Sequence, residues 1–313
     1  MDKIYLALTC IFFSVQFIFS KLYQKNSNGS ISASLWMTIF YAIYSIVFFG
    51  VQIGFTPEIS QSAVLFAILY SVAGIFTSIS SIMGMSLGKV STITTFMLLG
   101  GMVLPFIYGV TVLNEAITIP KIIAIAIMII SLIPSLVSKD GSETSGGNKK
   151  KHFLYILVLI VVFIGNGAIS IITSASQKAP DAVTSENYMF IIAVFQIAIA
   201  LATAVCVALK NKKKDEKFVQ ALFSGVGKSF AFKAIAIAFL CSALYGVCNS
   251  LGNVFSLACV NANMDASIQF PVISGSVIVL TALLAWAFFK EKPKAKDWIS
   301  ITLSVAGVLL FIF

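Results

Sequence analysis

The sequence predicts an all-α membrane protein with ten transmembrane helices, arranged as two inverted repeats of five helices. Three observations lead to this prediction. Of the 313 residues, 59% are hydrophobic and 11% are charged, whereas soluble domains are nearer half apolar and a quarter charged. Ten apolar segments of suitable length follow one another along the chain. The fourth and the ninth of them end in similar short motifs.

Each apolar segment is expected to form a helix that crosses the membrane. About 20 apolar residues span the hydrocarbon core, and lipid offers backbone groups no hydrogen-bond partner outside the helix. The first segment lacks the small-residue cleavage site of a signal peptide, so we count it as a span. The segments are 4–24, 34–54, 62–86, 91–113, 119–137, 153–175, 187–209, 234–258, 266–288 and 298–313.

Two similar motifs indicate that the chain is duplicated. Glu115 ends the fourth segment in VLNEAITIPKII, and Glu291 ends the ninth in FFKEKPKAKDWI. Each glutamate is followed within a few residues by proline, lysine and a new apolar segment. Aligning the two glutamates, which are 176 residues apart, also pairs Ser91 with Ser267. We interpret both glutamates as the ends of spans in the ionic interface of the membrane, away from the path of any solute.

The duplication divides the chain into two halves. Residues 1–137 and 153–313 each hold five segments, and the Gly/Ser-rich, charged stretch 138–152 between them is typical of a flexible linker. A repeat with an odd number of spans crosses the membrane in the opposite direction from its second copy. Transporters commonly use such inverted repeats and bind the substrate between the halves, near the middle of the bilayer.

The two motif regions resemble one family. The blocks SLGKVSTITTFMLLGGMVLPFIYGVTVLNEAITIPKIIAIAIMIIS and FPVISGSVIVLTALLAWAFFKEKPKAKDWISITLSVAGVLLFIF look like corresponding regions of the drug/metabolite transporter superfamily, EamA type. The shared pattern is a helix rich in small residues, an apolar helix ending in Glu, a short turn and a final helix rich in Gly, Ala and Ser. The resemblance implies a ten-span, two-repeat secondary transporter of small metabolites or drugs, and it implies no particular substrate.

Polar residues form stripes along the first, third, sixth and eighth segments. Spacings of three and four residues place each set on one helical face, and these segments hold equivalent positions in the two halves. Because polar side chains inside a membrane are costly, this agreement favours a polar cavity between the halves. The candidate cavity residues are Gln16, Asn166, Tyr245, Asn249 and Asn253 on the stripes, and Tyr44 and Gln196 in the second and seventh segments.

Two alternatives stay open for these features. Serine and threonine residues on the stripes also serve as packing contacts between membrane helices, whereas the amides of Gln and Asn have more groups to satisfy and favour a cavity. Glycine and proline residues in the fourth and ninth segments predict either kinks that act as a gate or static bends that ease packing. The kink or gate candidates are Gly100, Gly101, Pro105, Pro271 and Gly275.

The titratable residues disfavour several classes of function. None of the twelve acidic residues lies near the centre of a segment, which disfavours proton-coupled exchange of lipophilic cations. The sequence has no Cys/His metal pattern, no phosphate loop and no cluster of acid–base residues. We therefore expect no metal, no cofactor, no catalytic residue and no enzymatic activity.

The lysines predict how the chain is oriented. They cluster between apolar segments, which favours an orientation signal in a membrane over binding of nucleic acid. In or beside the odd-numbered connections they number 18, and the other side has three. The chain is expected in the cell membrane, that is the plasma or inner membrane. The positive-inside rule then places both termini on the outer side of that membrane, whereas the family resemblance implies both termini inside.

The sequence therefore predicts a multi-pass transporter that moves a small neutral or zwitterionic metabolite or drug by alternating access, without ATP, by export or exchange. The alternative is a lipid-carrier flippase or an accessory membrane protein on the same fold. The expected partners are a small-molecule substrate and membrane lipids, with no nucleic acid, and the chain is expected to act as a monomer.

Overall fold

The described part of the chain is entirely helical. A computed structural model describes residues 2–27, 31–87, 90–136, 149–211, 223, 232–290 and 295–312, and these contain ten helices and no strand. Each helix covers most of one predicted segment, so the all-α prediction is confirmed for the described residues. The helices are α1 Asp2–Asn26, α2 Ile31–Gln52, α3 Gln61–Leu87, α4 Val90–Thr111, α5 Ile119–Leu136, α6 Lys149–Gln177, α7 Ser185–Asn211, α8 Phe232–Asn261, α9 Ala266–Phe289 and α10 Ala295–Ile312.

Seven of the described helices contain a stretch that is long and apolar enough to cross a membrane. These are α1, α2, α3, α6, α7, α8 and α9. The apolar stretches of α4, α5 and α10 are shorter, and they are Thr95–Thr111, Ile119–Ser131 and Trp298–Phe311. Large apolar side chains such as Phe76 and Ile160 stay exposed on the outer faces, as a surface covered by lipid requires. These are the properties of a helical multi-pass membrane protein.

Helices of one half pack mainly against helices of the other half. Helix α1 packs against α8 and α9, while α6 packs against α3 and α4. Helix α2 contacts α7 and α8, and α3 also contacts α7. The remaining large contacts join α4 to α9 and α5 to α10, where the hydroxyls of Ser131 and Ser304 are 2.9 Å apart. The apolar cores therefore lie between the halves rather than inside each of them.

The even-numbered connections, residues 53–60, 112–118, 178–184 and 262–265, meet at one end of the bundle, here called the even end. The Glu58 amide donates to the Asn187 side-chain oxygen at 2.9 Å, and the Ser62 amide donates to the Asp181 carboxylate at 3.2 Å. Each contact joins the two halves. The opposite end of the bundle, where α1, α3, α5, α7 and α9 end, is here called the odd end.

The stretch expected as a linker, 138–152, is partly helical. Helix α6 begins at Lys149, so the last four residues of that stretch belong to its first turn. The other residues of the stretch lie outside the described part of the chain. Glu291, which the repeat alignment pairs with Glu115, also lies outside it.

Candidate functional site

A cavity of about 1080 Å³ lies between the two halves. Its walls come from α1, α2, α3, α4, α6, α7, α8 and α9. Six of the seven cavity residues proposed from the sequence line it, namely Gln16, Asn166, Gln196, Tyr245, Asn249 and Asn253. The stripes of the four segments thus face one another across a common space.

Tyr44, the seventh candidate, is fully described but lies outside the set of lining residues. Its ring stacks on Phe48 with 5.7 Å between the centroids. Tyr41, one turn earlier on α2, lines the cavity instead. The reason is the contact of α2 with α8, where Gly246 packs directly against Tyr41. This close contact turns the face of α2 that carries Tyr41 toward the cavity.

The described lining of the cavity extends to the odd end and stops short of the even end. At the odd end its lining reaches Lys21 near the end of α1, Ser34 near the start of α2 and Ser81 near the end of α3. Toward the even end the lining stops at Thr173, Ser256 and Phe270, which are all buried. The even connections are described in full, and none of their residues lines the cavity.

Three amides form a chain of hydrogen bonds across the α1–α8 interface. The Asn249 side-chain amide donates to the Gln16 side-chain oxygen at 2.9 Å. The Asn253 side-chain amide donates to both the backbone and the side-chain oxygen of Asn249, at 2.8 and 3.1 Å. Each amide donates to the next one in the direction of Gln16. The Gln16 Nε2 group therefore remains a donor at one end of this series of hydrogen bonds, and Asn253 Oδ1 remains an acceptor at the other end. A solute in the cavity meets both polarities on this wall.

The α3–α6 side of the cavity carries hydroxyl groups. The side chains of Thr77 and Ser81 donate to carbonyl oxygens one turn earlier on α3, both at 2.7 Å. Those of Ser170 and Thr173 do the same on α6, at 3.2 and 2.8 Å. Because each hydroxyl proton is used by its own helix, these groups offer a solute mainly their oxygen lone pairs.

Asn166 joins the sixth helix to the fourth. Its side-chain amide donates to the Met97 carbonyl at 2.8 Å. This bond needs Gly101, because a Cβ at that position would collide with the Asn166 amide. Gly100 is similarly required, since its Cβ would collide with the Phe163 carbonyl. At these two candidate gate positions, α4 and α6 pack with their backbones in close approach.

The other three kink or gate candidates occupy packed positions. Pro105 and Pro271 lie inside the continuous helices α4 and α9. Gly275 faces Met128 of α5, which a Cβ would approach to 2.7 Å. A gating role for these residues stays a prediction.

Aromatic rings complete the centre of the cavity. The rings of Tyr41 and Tyr245 lie 5.4 Å apart, tilted by 56°, and Tyr70 also lines the space. The Gln196 side chain lies against the Tyr41 hydroxyl. Such rings offer flat apolar surfaces together with polar hydroxyls.

The described lining has no acidic side chain, and its one charged residue is Lys21 at the odd end. Within the described residues, no group of three or more His, Cys, Asp or Glu side chains could hold a metal ion. The interior of the site is therefore uncharged, with polar groups set among apolar side chains such as Phe13, Met97 and Ile273. Amides, hydroxyls and aromatic rings are the groups available to bind a solute there.

Glu115 has a contact that the sequence analysis missed. Its two carboxylate oxygens accept the amides of Ala266 and Ser267 at the start of α9, both at 2.8 Å. The side chain is only 5% exposed. We had interpreted it as the end of a span in the ionic interface. No local pattern could identify the contact, because Ala266 lies 151 residues further along the chain.

The sequence of the chain matches no family model and no curated protein. Its fold is similar to that of a solved crystal structure of another protein, with a TM-score of 0.66 and 12% sequence identity. The similarity covers 99% of this chain and 95% of the other chain. At this level of identity the likeness shows a shared fold and nothing about function.

Proposed function

We propose that the chain is a secondary transporter that moves a small neutral or zwitterionic solute by alternating access. The observation that carries the proposal is the cavity between the halves, which holds the amides of Gln16, Asn166 and Asn249 and whose described lining reaches the odd end but not the even end. A cavity that opens to one side only is what one state of such a cycle requires. The resemblance of the two motif regions to the drug/metabolite transporter superfamily supports the same function.

The helix packing supports two inverted repeats. Exchanging α1–α5 with α6–α10 converts the α1–α8 contact into α6–α3, α1–α9 into α6–α4, and α2–α8 into α7–α3, and all of these contacts are present. The exchange maps α2–α7, α4–α9 and α5–α10 onto themselves. On this basis, the three helices with shorter apolar stretches are spans as well, which makes ten.

The offset of 176 residues between Glu115 and Glu291 also relates residues that hold equivalent places in the two halves. Adding 176 residues to Met97 and Leu98 of α4 gives Ile273 and Ser274 of α9, and all four residues line the cavity. The bonded pair Ser131 and Ser304 is similarly converted into Gly307 and Met128, which pack directly against each other. A duplicated fold with its binding site on the pseudo-two-fold axis explains both correspondences.

The solute class follows from the chemistry of the lining. The cavity would bind a cationic solute poorly, because the described lining has no carboxylate to balance its charge. A solute with separate donor and acceptor groups fits the two ends of the amide chain, and the tyrosine rings suit an apolar or planar part. These features favour a neutral or zwitterionic metabolite.

We place the odd end on the cytoplasmic side. In the sequence, 18 of the 21 lysines lie in or beside the odd-numbered connections, so the positive-inside rule puts both termini outside. The cavity then faces the cytoplasm, as the start of an export or exchange cycle requires. Cysteines at Thr56, in an even connection, and at Ser145, in the polar stretch, test this placement with an impermeant thiol reagent on intact cells. Labelling of the Thr56→Cys variant alone is expected, and labelling of Ser145→Cys from outside would contradict the orientation.

The function is tested by a reconstituted uptake screen of amino acids, nucleosides and sugars. We expect at least one solute to enter proteoliposomes faster than protein-free liposomes. Gln16→Ala and Asn166→Ala should each lower that uptake about two- to tenfold, since the loss of one hydrogen bond to a solute costs about 0.5–1.5 kcal/mol. Gln52→Ala removes an exposed amide outside the cavity and serves as the matched control. Unchanged uptake in both cavity variants would refute the assignment of the site.

A further inference from the structure

We propose that Glu115 is a latch that holds the even end of the cavity closed, and that its release from the start of α9 opens that end. The inference rests on the proposed alternating-access cycle and concerns residues outside the cavity. Glu115 is a positioning residue in this account, since it acts on helices rather than on the solute.

The first observation is that Glu115 caps a helix of the other half. The amides of Ala266 and Ser267 at the start of α9 each donate to one of its carboxylate oxygens at 2.8 Å. Asp265, the residue just before α9, makes no capping hydrogen bond with its own side chain. A carboxylate at a helix start is favourable because the free amides and the helix dipole both attract it. Here the cap is supplied across the interface between the halves.

Two lysines extend this contact to neighbouring elements. Lys178, in the connection between α6 and α7, lies 3.9 Å from Glu115 Oε1. Lys121 of α5 is buried, and its ammonium group donates to the Asp265 carboxylate at 2.9 Å. It also donates to the Ala116 carbonyl at 3.0 Å and approaches the Ser267 hydroxyl at 3.4 Å. Three even connections are therefore tied together around the start of α9.

The backbone of α4 leaves space for this arrangement. Gly109 lies in the last turn of α4, and a Cβ there would collide with the Glu115 carboxylate. The same Cβ would come within 2.9 Å of the Ser267 amide. Glycine thus allows the end of α4 and the start of α9 to approach with the carboxylate between them.

The α4–α9 pair behaves differently at its two ends. In the first nine residues of α4, Ile93, Met97 and Leu98 line the cavity, and Thr281 and Ala285 near the end of α9 line it too. At the even end the two helices are joined through Glu115. If the repeats exchange roles in the opposite state, the end of α4 must part from the start of α9. The Glu115 hydrogen bonds are the contacts that must break, and water can replace them at this face.

The proposal is tested by labelling a cysteine at the inner end of the cavity from each side of sealed vesicles. Ser256→Cys is the reporter, because Ser256 is buried and lines the even-most part of the cavity. The background carries Cys206→Ser, since Cys206 is exposed and the other four cysteines are buried. An impermeant methanethiosulfonate reagent is added on the even side or on the odd side, and the labelling rate is followed.

In the Glu115→Gln variant we expect the rate from the even side to rise about tenfold, because a charge-assisted pair of hydrogen bonds is replaced by one neutral bond. The rate from the odd side should fall. Glu58→Gln removes the same charge from an exposed side chain of another even connection and should change neither rate. Gly109→Ala displaces the carboxylate without changing charge and should act like Glu115→Gln.

Lys178→Gln is the milder variant, to be used if Glu115→Gln fails to fold, and a two- to threefold rise is expected, since only the weaker 3.9 Å contact is lost. Unchanged labelling from the even side in folded Gly109→Ala and Lys178→Gln proteins overturns the latch. Unchanged labelling together with normal solute uptake contradicts the latch alone. Failure of every solute to enter proteoliposomes contradicts the proposed function, whatever the labelling result.

Discussion

The α1–α8 and α3–α6 interfaces occupy equivalent places on the two sides of the cavity, yet their side chains differ. The first, here called the amide wall, carries Gln16, Asn249 and Asn253. The second, here called the hydroxyl wall, carries Thr77, Ser81, Ser170 and Thr173. The amides bond to one another between two helices, whereas the hydroxyls bond to carbonyls of their own helices.

This difference indicates that the two interfaces, each built from both halves, share a backbone arrangement but differ in the role of their side chains. Packing requires only that helices approach closely, and small or self-satisfied side chains allow this. Recognition of a polar solute requires donors and acceptors that are held in place and not used up by the protein. By this criterion the proposed transporter uses the amide wall to bind the solute and the hydroxyl wall chiefly for helix packing.

The largest expected effect comes from breaking the centre of the amide wall. Asn249→Ala removes the hydrogen bond to Gln16 and the hydrogen bond from the Asn253 side chain to the Asn249 side chain. The three amides of the amide wall are then no longer linked through their side chains. Two lost hydrogen bonds are worth about 1–3 kcal/mol, which corresponds to a roughly 5–150-fold weaker apparent affinity. Initial uptake rates at several solute concentrations measure this. An unchanged affinity would show that the amide wall does not bind the solute.

The next effect tests close packing on the hydroxyl wall. Gly165 faces Thr77, and a Cβ there would collide with the Thr77 hydroxyl. Gly165→Ala should therefore destabilise the protein by about 1–3 kcal/mol, visible as a lower Tm in detergent. Gly74→Ala is the matched control, because its Cβ meets only Gln196 Nε2 at 3.9 Å. Equal Tm values for the two variants would contradict the packing role.

A smaller effect is expected when a hydroxyl is removed from the same wall. The Ser170 hydroxyl already donates to the Asn166 carbonyl, so Ser170→Ala takes only a lone pair away from the solute. Apparent affinity should change less than about threefold, in line with a contribution below about 0.6 kcal/mol. A loss as large as that of Asn249→Ala would show that both walls bind the solute.

The smallest effect provides a baseline outside both walls. Hydrogen bonds from the Ser62 side chain and amide hold the pKa of the exposed Asp181 below its ordinary value. A lowered folded-state pKa gives stability that is complete above the ordinary pKa and is lost as the pH falls through the lowered one. Asp181→Asn should thus lower Tm slightly near pH 7, and the difference should shrink as the pH falls below the ordinary pKa of Asp and vanish only below the lowered pKa. A difference that persists in acid would point to another cause.

The cavity residues on the stripes could be predicted from the sequence because helical spacing alone places them on one face. Tyr44 and Tyr41 could not be told apart, since both lie on the inner side of α2 and the choice depends on the packing of Gly246. The hydrogen bonds that Thr77 and Ser170 make within their own helices could not be predicted either, because a hydroxyl on a stripe is equally compatible with a cavity and with packing.

The even end was the least predictable part. Glu115 ends a helix in the sequence, and that local role gave no sign of its bonds to Ala266 and Ser267. The cap depends on how α4 meets α9, which is set by the packing of both halves. Local patterns therefore predicted the helices and most of the cavity lining, while the contacts of Glu115 at the even end could be identified only from the structure.

Counterflow is the most direct test of the central claim that one cavity opens alternately to the two sides. Proteoliposomes are preloaded with an unlabelled solute from the uptake screen and diluted into a trace of the same solute carrying a radiolabel. Alternating access predicts a transient accumulation of label above the outside concentration, which Asn249→Ala should strongly reduce and Ser170→Ala should retain. Uptake of label that is independent of preloading would show a channel or a leak and would contradict the account.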